Sequence, residues 1–221
     1  MLSENKVNIY IDGGNFHHLA LKKIGGEELN FDFEAFANFL SETRIIPDMG
    51  KRFYVGTVRE KAGDGRSKEI MARQTKLFTL LRASGWELKT SKLRLRTEKI
   101  TIDARVEDFK NILKAGIKEI KMVRIREKGI DVKIATDLIV GALDNKYDTA
   151  ILVSSDTDLV PAMDWVRKRL NKKIEYIGFS IENNHLKEKT MPSQGMISHS
   201  DIQRILVQSD IEKFMHPSLF R

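Results

Sequence analysis

The sequence contains no cysteine. This excludes a disulfide scaffold, a zinc site built on thiolates and a cysteine nucleophile. No apolar run reaches the roughly 18 residues that a membrane-spanning helix needs, and the first residues lack the apolar segment of a signal peptide. We therefore expect a soluble, cytoplasmic protein that does not act at a membrane.

Several nucleotide and hydrolase motifs are also missing from the sequence. There is no phosphate-binding loop ending in Gly-Lys-Ser/Thr, and Asp-Gly-Gly-Asn at 12–15 lacks the glycine spacing of a dinucleotide site. No Gly-x-Ser-x-Gly turn is present that could expose a serine nucleophile. The common nucleotide-binding and serine-hydrolase chemistries are therefore disfavoured.

The composition is that of a folded, basic protein. Of 221 residues, 41% are hydrophobic, which is enough for a sizeable core. Lys and Arg number 38 against 31 Asp and Glu, a net charge of +7 that favours polyanionic partners. No internal repeat or proline-rich linker divides the chain, so one domain is expected.

Strand-like and helix-like segments alternate along the chain. This order predicts an α/β fold, a sandwich in which helices cover both faces of a mostly parallel central sheet. We predict a domain over 1–180 with a β-rich insertion at about 89–127, and a C-terminal extension over 181–221 that packs on the domain and ends in a helix over 201–215. The predicted strands are 7–11, 52–58, 86–88, 149–153 and 174–179, and the predicted helices are 15–23, 33–43, 68–84, 131–143 and 159–170.

Acidic residues follow two of the predicted strands. Asp12 ends the first strand, Asp156 and Asp158 follow the strand at 149–153, and Asp131 opens the preceding helix. In open parallel sheets, ligands bind beyond the carboxyl ends of the strands, where these acids should meet. Asp137 lies six residues after Asp131, which offsets the two by roughly 120° around the helix.

A simpler interpretation is that these acids cap helices. An aspartate before a helix accepts hydrogen bonds from the first backbone amides and interacts favourably with the helix dipole. Capping accounts for one acid of the Ser-Ser-Asp-Thr-Asp segment at 154–158, but two acids exceed its needs. Clustered carboxylates repel one another unless a cation compensates, and oxygen ligands suit Mg²⁺ or Mn²⁺.

Polar and basic residues surround the predicted acidic edge. The side chains of Asn15, Ser154 and Ser155 could orient a carboxylate or a phosphate, although such residues also serve turns. The basic candidates for contacts with phosphate groups are Arg59, Lys61 and Lys128. Such contacts give affinity without sequence selectivity.

Three blocks of the sequence, in this order, resemble the NYN domain. They read Tyr-Ile-Asp-Gly-Gly-Asn at 10–15, Glu-Lys-Gly-Ile-Asp-Val at 127–132 with Asp-Leu at 137–138, and Val-Ser-Ser-Asp-Thr-Asp-Leu-Val-Pro at 153–161. NYN domains, which include the LabA-like proteins, belong to the PIN-like nuclease superfamily. The resemblance covers about residues 7–179.

The resemblance implies a Rossmann-like α/β/α sandwich and a metal-dependent ribonuclease. On this basis Asp12, Asp131 and Asp156 match the metal-binding acids, Asp137 and Asp158 match further acidic positions, and Asn15 matches the amide after the first strand. Two features depart from the pattern: Ser155 stands where many members have glycine, and the segment 89–126 is longer than a minimal domain needs.

The leading hypothesis is an endoribonuclease that hydrolyses RNA phosphodiester bonds with Mg²⁺ or Mn²⁺. Its predicted catalytic residues are Asp12, Asp131, Asp156 and Asp158, and its predicted metal ligands are Asp12, Asp131, Asp156 and Asp137. The alternative is a non-catalytic RNA-binding or adaptor protein on the same scaffold, and a small-molecule phosphohydrolase is a third candidate. The sequence leaves open a DNA substrate and a homo-oligomer.

Overall fold

The computed structural model describes residues 5–57, 65–126, 129–183 and 188–216. Ten strands are assigned in this part of the chain: β1 Val7–Asp12, β2 Lys51–Thr57, β3 Glu87–Lys92, β4 Arg94–Thr101, β5 Glu119–Arg126, β6 Thr149–Val153, β7 Lys173–Ser180, β8 Glu182–Asn183, β9 Glu188–Lys189 and β10 Ile202–Val207. The eight α-helices are α1 Gly13–Leu19, α2 Phe33–Ser41, α3 Gly65–Ala83, α4 Phe109–Lys114, α5 Ile130–Leu143, α6 Val160–Leu170, α7 Gln194–Ser198 and α8 Gln208–Glu212. Short 3₁₀ turns occupy Leu21–Ile24, Glu28–Asn30 and Thr157–Leu159.

Six strands form the central sheet in the order β10-β7-β6-β1-β2-β3. Every neighbouring pair is parallel. The predicted α/β sandwich is thus confirmed. After β1 the chain adds β2 and β3 on one side, and it later returns to place β6 on the other side. The order of the strands therefore reverses between β1 and β6, which is where parallel sheets bind ligands.

Helices cover both faces of this sheet, and each side has its own hydrophobic core. Residues of α1, α2 and α3 pack on one face around Phe16 and Phe36, while residues of α5 and α6 pack on the other around Leu138 and Met163. Every residue of β1 and β6 is buried, because both faces of a central parallel strand are covered. This rigid centre ends at the two acidic segments.

The C-terminal segment completes the sheet. The prediction of one helix over 201–215 is wrong, because residues 202–207 form β10, which pairs with β7, and only 208–212 are α-helical in the short α8. The buried Glu175 of β7 lies between two arginines, at 2.6 Å from Arg44 and at 2.5 Å from Arg204 of β10. This ion triad fixes the last strand to the sheet and to the loop after α2.

The insertion is a two-stranded antiparallel hairpin of β4 and β5, separate from the central sheet, with α4 at its far end. Its β-rich character agrees with the sequence pattern. Its start differs, because β3 continues to Lys92 as part of the central sheet. The hairpin leaves the sheet after β3 and returns to the chain just before α5.

Candidate active site

Asp12 occupies the end of β1 at the point where the strand order reverses. Its side chain is 5% exposed and caps α1 by accepting a hydrogen bond from the backbone amide of Asn15 at 3.1 Å. The residue after it must be glycine, since a Cβ at Gly13 would stand 2.9 Å from the carbonyl oxygen of Tyr54 and closer still to the Phe53 ring. The chain therefore turns into α1 tightly against β2, and this turn sets the position of the carboxylate.

A hydrogen-bond network ties Asp12 to the end of β6. The side-chain amide of Asn15 donates to Asp12 Oδ2 at 2.7 Å, and the hydroxyl of Ser154 donates to the same oxygen at 3.2 Å. Asn15 Oδ1 in turn accepts from the backbone amide of Ser155 at 3.3 Å. Asn15 and Ser154 thus hold one carboxylate between two strand ends, whereas the Ser155 hydroxyl pairs with Tyr176 at 2.9 Å.

Asp156 and Asp158 follow Ser154 in the turn after β6. Asp156 receives a backbone hydrogen bond from Asp158, and its own amide donates to the Ser154 hydroxyl. Asp156 is half-buried and Asp158 is exposed. The capping role is therefore realised here by Asp156, and Asp158 extends the negative charge toward solvent.

Asp131 faces these acids from the first turn of α5. Burial raises its pKa above the usual range, and the charges of Asp156, Asp12 and Asp158 raise it further. Burial also raises the pKa of Asp12, with a contribution from Asp156, while the hydrogen bonds from Asn15 and Ser154 oppose the shift. Three neighbouring acids therefore disfavour the charged form of Asp131, and Asp156 also disfavours that of Asp12.

A cleft of about 320 Å³ opens beside this group, and we call it the acidic cleft. His18 was not among the predicted site residues, although its position three residues after Asn15 places it on the same side of α1. Burial and the neighbouring His17 lower the pKa of His18, which favours the neutral imidazole. The acidic cleft is lined by Asp12, Gly14, Asn15, His18, Leu19, Ile130 and Asp131.

Asp137 has different partners from the acids of the cleft. The hydroxyl of Tyr54 donates to its carboxylate at 2.7 Å, and Arg52 and Lys89 lie 3.8 and 3.7 Å away. Glu87 in turn pairs with both cations. The charge of Asp137 is thus already compensated within the α5 face of the sheet, which favours a structural role over the predicted metal contact.

The donor chemistry of the cleft suits a hard divalent cation, because carboxylate oxygens dominate and repel one another. The acids do not form a complete metal site, however. Across the described ranges, no three acidic or histidine side chains lie close enough together to hold one ion. An ion in the cleft would therefore be held by one or two of these carboxylates, with water molecules as its remaining ligands. The basic candidates Arg59, Lys61 and Lys128 lie outside the described residues.

Comparison with known proteins agrees with this architecture. The sequence model of the NYN domain matches residues 6–194. A crystal structure of a protein of unknown function from Vibrio parahaemolyticus is similar, with a TM-score of 0.53 and 19% identity, over 93% of this chain and 95% of that one. At this identity the similarity concerns the fold alone. No curated protein matches the sequence. In the described part of the chain, no helix combines the length and the apolar character needed to cross a membrane.

Proposed function

Because the chain belongs to the NYN domain family of the PIN-like nuclease superfamily, we propose that it is a metal-dependent endoribonuclease that acts at the acidic cleft. The observation that carries this proposal is the grouping of four acids at the reversal of the strand order, where burial and neighbouring charge raise the pKa of both Asp12 and Asp131. Such an arrangement is unfavourable by itself, and a divalent cation relieves it.

Asp12, Asp131 and Asp156 are the proposed ligands for Mg²⁺ or Mn²⁺. The chemistry that a bound ion supplies is a nucleophile made from water at neutral pH, together with neutralisation of charge on the phosphodiester. Asn15 and Ser154 keep the Asp12 carboxylate oriented toward the cleft. Asp158 lies at the exposed rim. His18, whose lowered pKa favours the neutral imidazole, is the proposed group that exchanges a proton with the substrate or the leaving oxygen.

A second candidate function is RNA binding without turnover. It is favoured by the separation of the acids, since in the described residues no three of them are positioned for one ion. A protein of this kind would bind RNA equally well with and without a divalent cation, and the acids would serve as helix caps and as a negative boundary of the binding surface.

Cleavage of labelled nucleic acids separates the two candidates. Single-stranded RNA, structured RNA and single-stranded DNA are incubated with the protein in Mn²⁺, Mg²⁺ or EDTA. We expect Asp12→Asn and Asp156→Asn to lose at least about a hundredfold in rate, because each removes a charged ligand. The matched control is Asp144→Asn, the same change at an exposed acid beyond the other end of α5.

The control variant should cleave at the wild-type rate. Cleavage of RNA that needs the metal and is lost in both cleft variants supports the nuclease. If the protein binds RNA equally well in EDTA and in Mn²⁺ and never shortens the strand, RNA binding without turnover would replace the nuclease as the proposed function. Wild-type cleavage by both cleft variants would contradict the assignment of the site.

A further inference from the structure

The hairpin of residues 93–126, which we call the arm, is attached beside the acidic cleft. It starts where β3 ends at the carboxyl edge of the sheet, and its last strand ends four residues before α5 begins at Ile130. Asp131 is the second residue of that helix, and Lys133 donates to the carbonyl oxygen of Thr90 at the end of β3. Both ends of the arm are therefore fixed at the edge that carries the acids.

The arm carries most of the net charge of the protein. Residues 93–126 contain ten Lys and Arg against five Asp and Glu, so this segment contributes +5 of the net charge of +7. The side chains of Arg96, Lys99, Lys121 and Arg124 are exposed. The charge of the protein is thus concentrated next to a negative cleft instead of being spread over the surface.

The register of the arm places like charges opposite each other. Two of its eight paired positions oppose two cations whose side chains the structure describes: Arg96 with Arg124, and Lys99 with Lys121. Like charges directly opposite on neighbouring strands destabilise a hairpin. The ion pair of Glu119 with Lys99 is exposed, and that of Glu98 with Arg124 is partly exposed. Both are 3.7 Å long, so they compensate little. A polyanion would remove this cost.

We propose that the arm binds the phosphate backbone of the RNA beside the cleavage site. The inference rests on the proposed function for its substrate, but it concerns binding and not turnover. Each strand of eight residues is about 26 Å long, enough to follow several phosphate groups. Neither strand contains an aromatic residue on which a base could stack, so the contacts go to phosphates and carry no sequence preference.

The test measures RNA binding as a function of salt, in EDTA so that no cleavage occurs. The probes are a labelled single-stranded RNA, an RNA hairpin of equal length and the single-stranded DNA that matches the first RNA in sequence. The arm variant is Arg96→Gln/Arg124→Gln, and the matched control is Lys76→Gln/Arg82→Gln, which removes the same charge from exposed positions on α3. Loss of two phosphate contacts should weaken binding about tenfold near physiological salt and lower the slope of log K against log salt by about 1.5.

The control should bind within about twofold of the wild type. An equal loss of RNA affinity in both double variants would show that binding depends on net charge alone. An unchanged RNA affinity in the arm variant would show that the arm does not contact the RNA. Either result overturns the proposal. Light scattering measures the mass of the RNA-free wild type and of the RNA-free arm variant. A different oligomeric mass in the arm variant would also overturn the proposal, because the arm would then be a contact between copies of the protein. Stronger arm-dependent binding of the matching DNA would refute RNA as the ligand.

A cleavage assay in Mn²⁺ keeps this inference apart from the proposed function. If the wild type binds RNA through the arm but never cleaves it, the proposed nuclease activity is refuted and the proposed role of the arm stands. If the wild type and the arm variant bind and cleave RNA equally well, the proposed role of the arm is refuted and the proposed nuclease activity stands.

Discussion

Replacement of Glu175 by glutamine should destabilise the protein strongly. Its side chain is 2% exposed, and its two oxygens contact Arg44 at 2.6 Å and Arg204 at 2.5 Å. Glu175→Gln keeps the volume but leaves two largely buried guanidinium groups facing each other without a negative charge. Removing one partner from a buried ion pair costs about 3–5 kcal/mol, and because glutamine retains a hydrogen-bond acceptor we expect about 3 kcal/mol.

Urea unfolding followed by circular dichroism measures this loss. With a slope of about 2 kcal/mol per molar urea, the midpoint should fall by about 1.5 M. The control is Glu69→Gln, which breaks an exposed pair with Arg73 on α3 and should cost less than about 0.5 kcal/mol. A loss below about 1 kcal/mol for Glu175→Gln, with an unchanged slope, would refute the reasoning, because the triad would then be solvated or replaceable.

Three further predictions concern the acidic cleft. The pKa of Asp12 is raised in the folded state, so its charge costs stability as the pH rises through that pKa. Asp12→Asn should therefore unfold like the wild type in acid and be more stable than the wild type at pH 7, as thermal unfolding at both pH values will show. The rate of cleavage should rise with pH as Asp12 and Asp131 lose their protons. Because metal and protons compete for the same carboxylates, tenfold more Mn²⁺ should shift this rise to lower pH. A pH dependence that does not shift with the metal concentration would contradict the ligand assignment. Asn15→Ala should weaken Mn²⁺ binding about 10–100-fold in a titration of the metal, and the lost cleavage should be recovered at high Mn²⁺. An unchanged affinity for the metal would exclude a role of Asn15 in positioning the Asp12 carboxylate.

The sequence pattern predicts the central sheet well because its strands are buried on both faces. The run at 149–153 is apolar after Thr149 and coincides with β6, and the helix predicted at 131–143 is α5 with one residue added. The C-terminal strand is different. Residues 202–207 contain Ile202, Ile205 and Leu206 at a spacing that fits a helix, and they form a strand because β7 offers them an open edge and a buried glutamate. That reason is tertiary and cannot be read from the segment itself.

The candidate site shows the same limit. The position of Asp12 after a strand and before a glycine is local information, and so is the position of Asp156. Whether Asp137 faces the cleft depends instead on Tyr54, which lies 83 residues earlier in the chain and donates to its carboxylate. The rotation of about 120° between Asp131 and Asp137 was the available signal that the two acids belong to different surroundings.

The two ends of the arm face each other, since Arg94 pairs with Arg126 across the hairpin. The chain therefore enters and leaves this element at nearly the same point, and the central sheet takes no strand from it. An exchange of the arm for a tight turn, or for a hairpin of another length or charge, would leave the entry and exit of the chain in place. Recombination at this one position can thus exchange the charge and length of the arm, while the residues that hold Asp12 stay the same.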